Sequence, residues 1–206
     1  MPTNRTPWRK LALLSPLLLV VLVFAALNAD YIRIQITYAL NGPAAVIGPG
    51  TILTVPGATT TSTSNLLTIP SLGIQAPIQY ATKKDEASIQ NALLNGVVHY
   101  PGTANPGQPG NVYIVGHSSD YRWSAGKYKT VLALLPKIKE GDEMQVTDKA
   151  GKIYRYRVIE TKIVNPTDLS VLSQGDGSKK LLTVQTSYPI GTALRRFLAI
   201  GELVTD

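Results

Sequence analysis

Three short stretches of this 206-residue chain carry side chains able to do chemistry. The first is Asn111-Val112-Tyr113-Ile114-Val115-Gly116-His117-Ser118, an apolar run closing on Gly-His. An imidazole placed there can take or give a proton near neutral pH. The second is Leu181-Leu182-Thr183-Val184-Gln185-Thr186-Ser187-Tyr188-Pro189, which puts the hydroxyl of Ser187 at a strand end before a proline. An alcohol ionises far less readily than a thiol, so Ser187 would need a base during attack. The third is Arg195-Arg196-Phe197-Leu198-Ala199-Ile200. Its guanidinium groups could donate hydrogen bonds to a developing oxyanion. Each residue also has an ordinary structural reading: a histidine ending a strand, a serine opening a turn, a basic pair on a solvated edge. Asp120 and Asp168 are carboxylates that could orient His117, and no motif selects between them.

Composition narrows the setting. Hydrophobic residues make up 44% of the chain, which excludes disorder throughout. Cysteine is absent, so there is neither a disulfide framework nor a thiolate metal site. With only two histidines and no acidic cluster, no metal or other cofactor is expected. The net charge is +7, but the cations are scattered and no dense basic run with interleaved aromatics appears. That pattern argues against nucleic acid and for a surface facing anionic lipid or cell wall.

Elements must bring the three stretches together. Leu11 to Leu27 is uncharged over 17 residues and would span about 25 Å as a helix. Arg5, Arg9 and Lys10 precede it, so a cytoplasmic N-terminus (1–10), a transmembrane anchor (11–29) and an external remainder are expected. A cleaved signal peptide is the rival, but Leu27 is a poor residue three positions before a bond after Ala29. Tyr31 to Leu40 fits a strand or a helical extension of the anchor. Asn41 to Asn65 is rich in Gly, Pro, Thr and Ser and reads as a tether, making 30–65 an extracytoplasmic linker. The domain then occupies 66–206. Short extended runs lie at Leu66–Pro70 and Gly73–Ile78, with further strands at Asn111–Val115, Glu143–Val146, Lys152–Val164, Lys180–Thr186 and Arg196–Val204. Helices are expected at Asp85–Asn95 and Tyr128–Leu135. Strands dominate without βαβ alternation. The expected fold is mainly β, a closed barrel with short helices in its connections, preceded by a transmembrane helix.

Five motifs, in order, resemble the sortase family. Leu182-Thr183-Val184-Gln185-Thr186-Ser187 stands where sortases carry a strand ending T-L-x-T-C, and nine residues on lies Arg196. Gly116-His117 matches the family's G-H. His99-Tyr100-Pro101-Gly102-Thr103-Ala104-Asn105-Pro106-Gly107-Gln108-Pro109-Gly110-Asn111 resembles its approach to that strand. Ile69 to Ile78 resembles its opening strand pair, and Gly141-Asp142 the G-D before a middle strand. The resemblance covers Leu66 to Val204.

It implies a closed sortase barrel acting on LPXTG-like sorting signals of surface proteins or pilins. It also implies transfer of the acyl group to an amine, such as a cell-wall peptide or a lysine. It assigns His117, Ser187 and Arg196 as catalytic, and His99, Thr186 and Tyr188 as substrate-binding. The departure is Ser187, where sortases have cysteine. Three readings stay open: an enzyme using Ser187, an inactive domain that binds sorting peptides or pilins, and a Cys-to-Ser variant of an active sortase.

Overall fold

The computed structural model describes residues 8–42, 65–120 and 123–205. Two helices come first, α1 (Trp8–Leu27) and α2 (Ala29–Asn41). Eight strands follow and close into a barrel: β1 (Leu66–Ile69), β2 (Ile74–Tyr80), β3 (Val97–His99), β4 (Gly110–Val115), β5 (Glu143–Thr147), β6 (Ile153–Val164), β7 (Lys180–Tyr188) and β8 (Arg195–Leu203). Their order around the barrel is β1-β2-β3-β4-β7-β8-β6-β5. Most pairs are antiparallel, but β2 with β3 and β4 with β7 run parallel.

Period-two alternation decides which side chains fill the barrel. Leu67, Ile69, Ile114, Val146, Tyr156, Leu182, Val184, Phe197 and Ala199 point inward into one core. Val98, Tyr113, Val115 and Leu198, on the intervening positions, face outward beneath a second cluster. That cluster is completed by Ile89 and Leu93, one turn apart on a third helix, α3 (Glu86–Leu93), between β2 and β3. Asp85 caps α3, its carboxylate accepting from the Ser88 amide and hydroxyl, each at 2.9 Å.

The stretch Tyr31–Leu40, open between strand and helix from its pattern, is helical and belongs to α2. Among the described residues no single helix is long and apolar enough to cross a membrane. Leu18–Leu27 and Tyr31–Asn41 together have the length and composition, but they bend by 79° at their junction. Most of the tether expected at Asn41–Asn65 lies outside the described residues.

One element differs from expectation. Tyr128–Leu135 forms successive tight turns followed by a 3-10 turn, Leu135–Lys137. Leu132, Ala133, Leu134 and Leu135 are all buried, a run without helical periodicity. Pro136 then denies the segment the amide a continuing helix requires. The remaining strands and α3 fall where expected to within a few residues, and β3 adds a short strand the pattern does not reveal.

Candidate active site

The antiparallel register of β7 and β8 pairs Ser187 directly with Arg196. Directly opposed residues on neighbouring strands project to the same face, with Cβ atoms about 5 Å apart. Both residues therefore stand on the outer face, in the alternation that carries Gln185 on β7 and Leu198 on β8. Arg195 pairs with Tyr188 instead and points the other way, where Nη1 donates to Asn165 Oδ1. Of the two arginines, the fold brings only Arg196 beside Ser187.

The parallel pairing of β4 with β7 matches Val115 to Gln185. It continues past the strand end through the Gly116 amide, which donates to the Gln185 carbonyl at 3.1 Å. The Gly116 carbonyl in turn accepts from the Thr186 hydroxyl at 2.9 Å, so the residues just before His117 and just before Ser187 are bonded to each other. The His117 carbonyl accepts from the Leu132 amide at 2.9 Å, so this segment is held from both sides. Gly116 is required by space: a Cβ there would sit 2.7 Å from Leu132 Cδ1 and 2.9 Å from Val97 Cγ1. Glycine at 116 thus lets the chain pass close to Leu132 and Val97 immediately before His117.

Burial pushes the His117 pKa below its ordinary 6.5, and the charge of Asp120 pulls it partly back. The imidazole is therefore neutral at pH 7, the form that accepts a proton. Of the two carboxylates weighed from sequence, Asp120 is the one that acts on His117. Asp168 instead caps the turn Leu169–Leu172, accepting from the Ser170 amide at 3.0 Å. Neither the Ser187 hydroxyl nor the His117 ring makes a hydrogen bond among the described residues. Arg196 Nη1 donates to the carbonyls of Ala193 at 3.1 Å and Arg195 at 3.2 Å.

A polar pair floors this end of the sheet. Tyr113 donates its hydroxyl to Gln185 Oε1 at 2.6 Å, and burial raises its pKa while the Arg196 charge opposes the rise. Tyr113 lies four residues before His117, and Gln185 two before Ser187. Strand alternation alone places both on the face that carries Ser187 and Arg196, a signal the motif reading passes over.

His99, Thr186 and Tyr188 are not brought to this face. His99 follows Val98, which faces outward, so its ring turns to the other side. It is 7% exposed, and its Nε2 lies 2.9 Å from the Ala104 carbonyl and 3.3 Å from Thr103 Oγ1. Thr186 is buried and donates its hydroxyl to the Gly116 carbonyl at 2.9 Å. Tyr188 packs on the inner cluster, 6.1 Å from the Phe197 ring. The alternation that sets Ser187 on the outer face, half-buried, turns its two neighbours the other way. Thr186 acts from behind the sheet, tying β7 to the residue before His117.

The sortase domain model matches residues 67–204. The chain belongs to the sortase family. Sortase D of Bacillus subtilis (strain 168) is 28% identical over 145 residues, covering 69% of this chain and 64% of that relative. The chain thus matches less than two thirds of the length of this relative. Among solved structures, the Clostridium perfringens Sortase D5 transpeptidase is 25% identical with a TM-score of 0.56, covering 68% of this chain and 78% of that one. Sortase C-1 from Actinomyces oris is 26% identical with a TM-score of 0.57, over 68% and 73% of the two chains. The closed, mainly β barrel is the sortase fold. The motif that approaches β4 acquires a physical meaning in it. Gly107, at φ +79°, lies so close to Tyr154 that a Cβ would meet its ring at 2.2 Å. Its amide donates to the Tyr156 hydroxyl at 2.9 Å.

Proposed function

We propose that this sortase is a membrane-anchored acyl-transfer enzyme that acts on sorting-signal peptides through Ser187, His117 and Arg196. The direct cross-strand pairing of Ser187 with Arg196 carries the reading, and the parallel pairing of β4 with β7 leads the chain to His117 two residues beyond the end of β4. Ser187 Oγ attacks the scissile carbonyl, and the neutral His117 imidazole takes its proton. The Arg196 guanidinium donates to the oxyanion as the carbonyl carbon becomes tetrahedral. His117 then returns the proton to the leaving amine, which departs and leaves a seryl ester. An incoming amine, from a cell-wall peptide or a lysine, attacks that ester and regenerates Ser187; water in its place gives hydrolysis. Asp120 stabilises the imidazolium formed between the two transfers. The apolar run in α1, preceded by basic residues, supplies the anchor and puts the barrel outside the cell.

A second reading rests on the absence of a Ser187–His117 hydrogen bond: the groove binds sorting peptides or pilins without cleaving them. A peptide library with an amine acceptor separates the two. The enzyme reading expects cleavage and transfer that Arg196→Ala and His117→Ala each abolish. Saturable peptide binding without turnover in the unaltered protein establishes the binding module instead.

A further inference from the structure

Helix α2 presents two different faces. Ile34 and Tyr38, one turn apart, pack on the barrel's inner cluster. The Tyr38 hydroxyl donates to the Ser71 carbonyl at 3.3 Å, and Lys137 Nζ lies 5.0 Å from the centre of its ring. Residues two positions along a helix point about 200° apart. Ile36 and Leu40 therefore face away from the barrel, and they are 53% and 77% exposed. Arg33, also exposed, shares their side at the preceding turn. Exposed apolar residues at helical spacing next to a cation, on a helix already docked by its opposite face, are unusual in water.

The neighbouring geometry says what covers them. The apolar side chains of α1 from Leu18 to Phe24 are all about half exposed or more. α2 leaves the end of α1 at 79°, nearly a right angle. A helix perpendicular to a spanning helix lies in the plane of the bilayer surface. At the junction, Asn28 Oδ1 is 3.3 Å from where a Cβ on Gly191 would stand. Gly191 belongs to the β7–β8 loop, which joins Ser187 to Arg196 and carries Leu194, 70% exposed. The Gly191 amide also donates to Ser119 Oγ at 2.9 Å, linking this loop to the segment after His117.

We infer that α2 is an interfacial helix, sandwiched between the barrel and a lipid surface, and that it holds the β7–β8 loop beside the active site at the membrane. Ile36 and Leu40 enter the boundary between headgroups and acyl chains, and Arg33 meets anionic headgroups. Leu194 touches the same surface. The acyl donor and acceptor must then be engaged close to the membrane. This rests on the proposed anchoring of α1, and the test separates the two ideas.

The chain has no cysteine, so single cysteines can be labelled cleanly in the full-length protein. Leu22→Cys, Ile36→Cys, Leu40→Cys, Leu194→Cys and Lys149→Cys, each carrying a fluorophore, are reconstituted into vesicles of phosphatidylcholine and phosphatidylglycerol. Brominated lipids then quench at shallow or deep acyl positions. Lys149 lies in the β5–β6 turn, away from α2, and serves as the water-exposed control. Labels at 36, 40 and 194 should be quenched by shallow bromines at least about threefold more than the label at 149, as burial at the headgroup boundary implies. The label at 22 should respond best to deep bromines. Deep quenching at 22 without quenching at 36 and 40 overturns the interfacial helix and leaves the anchor standing. Deep quenching at 36 and 40 makes α2 part of a broken span and also overturns it. Shallow quenching at 36 and 40 with none at 22 upholds the interfacial helix and removes the anchor. A double variant, Ile36→Asp with Leu40→Asp, alters only exposed positions and should return the label at 194 to the level at 149; no change there refutes the clamp.

Discussion

Replacing Ser187 by cysteine changes only the attacking atom and leaves Arg196 opposite it. The opposed Cβ atoms are about 5 Å apart, and charges brought to that separation at an effective dielectric constant near 20 would interact by at most about 3 kcal/mol. Arg196 is only partly buried, so solvent screening reduces this to about 1–1.5 kcal/mol, close to one pKa unit. The introduced thiol should then titrate near pH 7.5 rather than about 8.5. About half would be thiolate at pH 7.5, with no base required. Serine relies on His117, to which it is not hydrogen-bonded, and general-base assistance is worth about 10²–10⁴ in rate. The Ser187→Cys variant should therefore form acyl-enzyme about 10²–10⁴ times faster than the serine enzyme. The thiol pKa is read from the pH dependence of alkylation, and the rate from cleavage of a quenched sorting peptide. Arg196→Ala in the cysteine background should raise the thiol pKa by about one unit. A cysteine enzyme no faster than an efficient serine enzyme would show that His117 already serves Ser187 fully. A thiol pKa indifferent to Arg196 would refute the electrostatic argument itself.

Other outcomes follow from the same geometry. His99→Ala removes a buried ring bonded to Ala104 and should lower unfolding free energy by about 1–3 kcal/mol, with the peptide KM of the folded enzyme unchanged; denaturant titration and steady-state kinetics measure the two. Gly116→Ala drives a methyl group into Leu132 and Val97 and should cost about 1–3 kcal/mol together with most of the activity, because His117 follows directly. Burial lowers the pKa of both histidines, so the unfolded chain binds more protons than the folded one as pH falls below about 6.5. Their contribution to stability is complete above that pH and is lost on acidification towards the folded values. Urea midpoints at pH 7.5 and 5.5 should show the decrease, and variants lacking both histidines should show less of it.

Much of this is legible in the residues. Alternation in Lys152–Val164 locates the longest strand, and strands at Lys180–Thr186 and Arg196–Val204 are read to within a few residues, though their register, which pairs Ser187 with Arg196, comes only from the fold. Asp85 and Gly96 bracket α3. The differences have physical causes. His99, Thr186 and Tyr188 lie in the same motifs as His117 and Ser187, yet adjacent strand residues face opposite ways, so their side chains stand off the face that Ser187 shares with Arg196. The same period, applied along β4 and β7, draws in Tyr113 and Gln185. The buried run Leu132–Leu135 looks helical from composition, but its side chains are all consumed by the core. Tyr31–Leu40 has apolar residues on two faces, one for the barrel and one exposed, and this blurs its periodicity.

The central claim is that Ser187 carries the acyl group. The unaltered protein, incubated with a sorting-peptide library and quenched in acid, should gain the mass of an acyl fragment. Tandem mass spectrometry should place that fragment on Ser187 as an ester cleaved by hydroxylamine, and Arg196→Ala should fail to accumulate it. Peptide cleavage with no adduct on Ser187, or an adduct on another residue, would contradict the account.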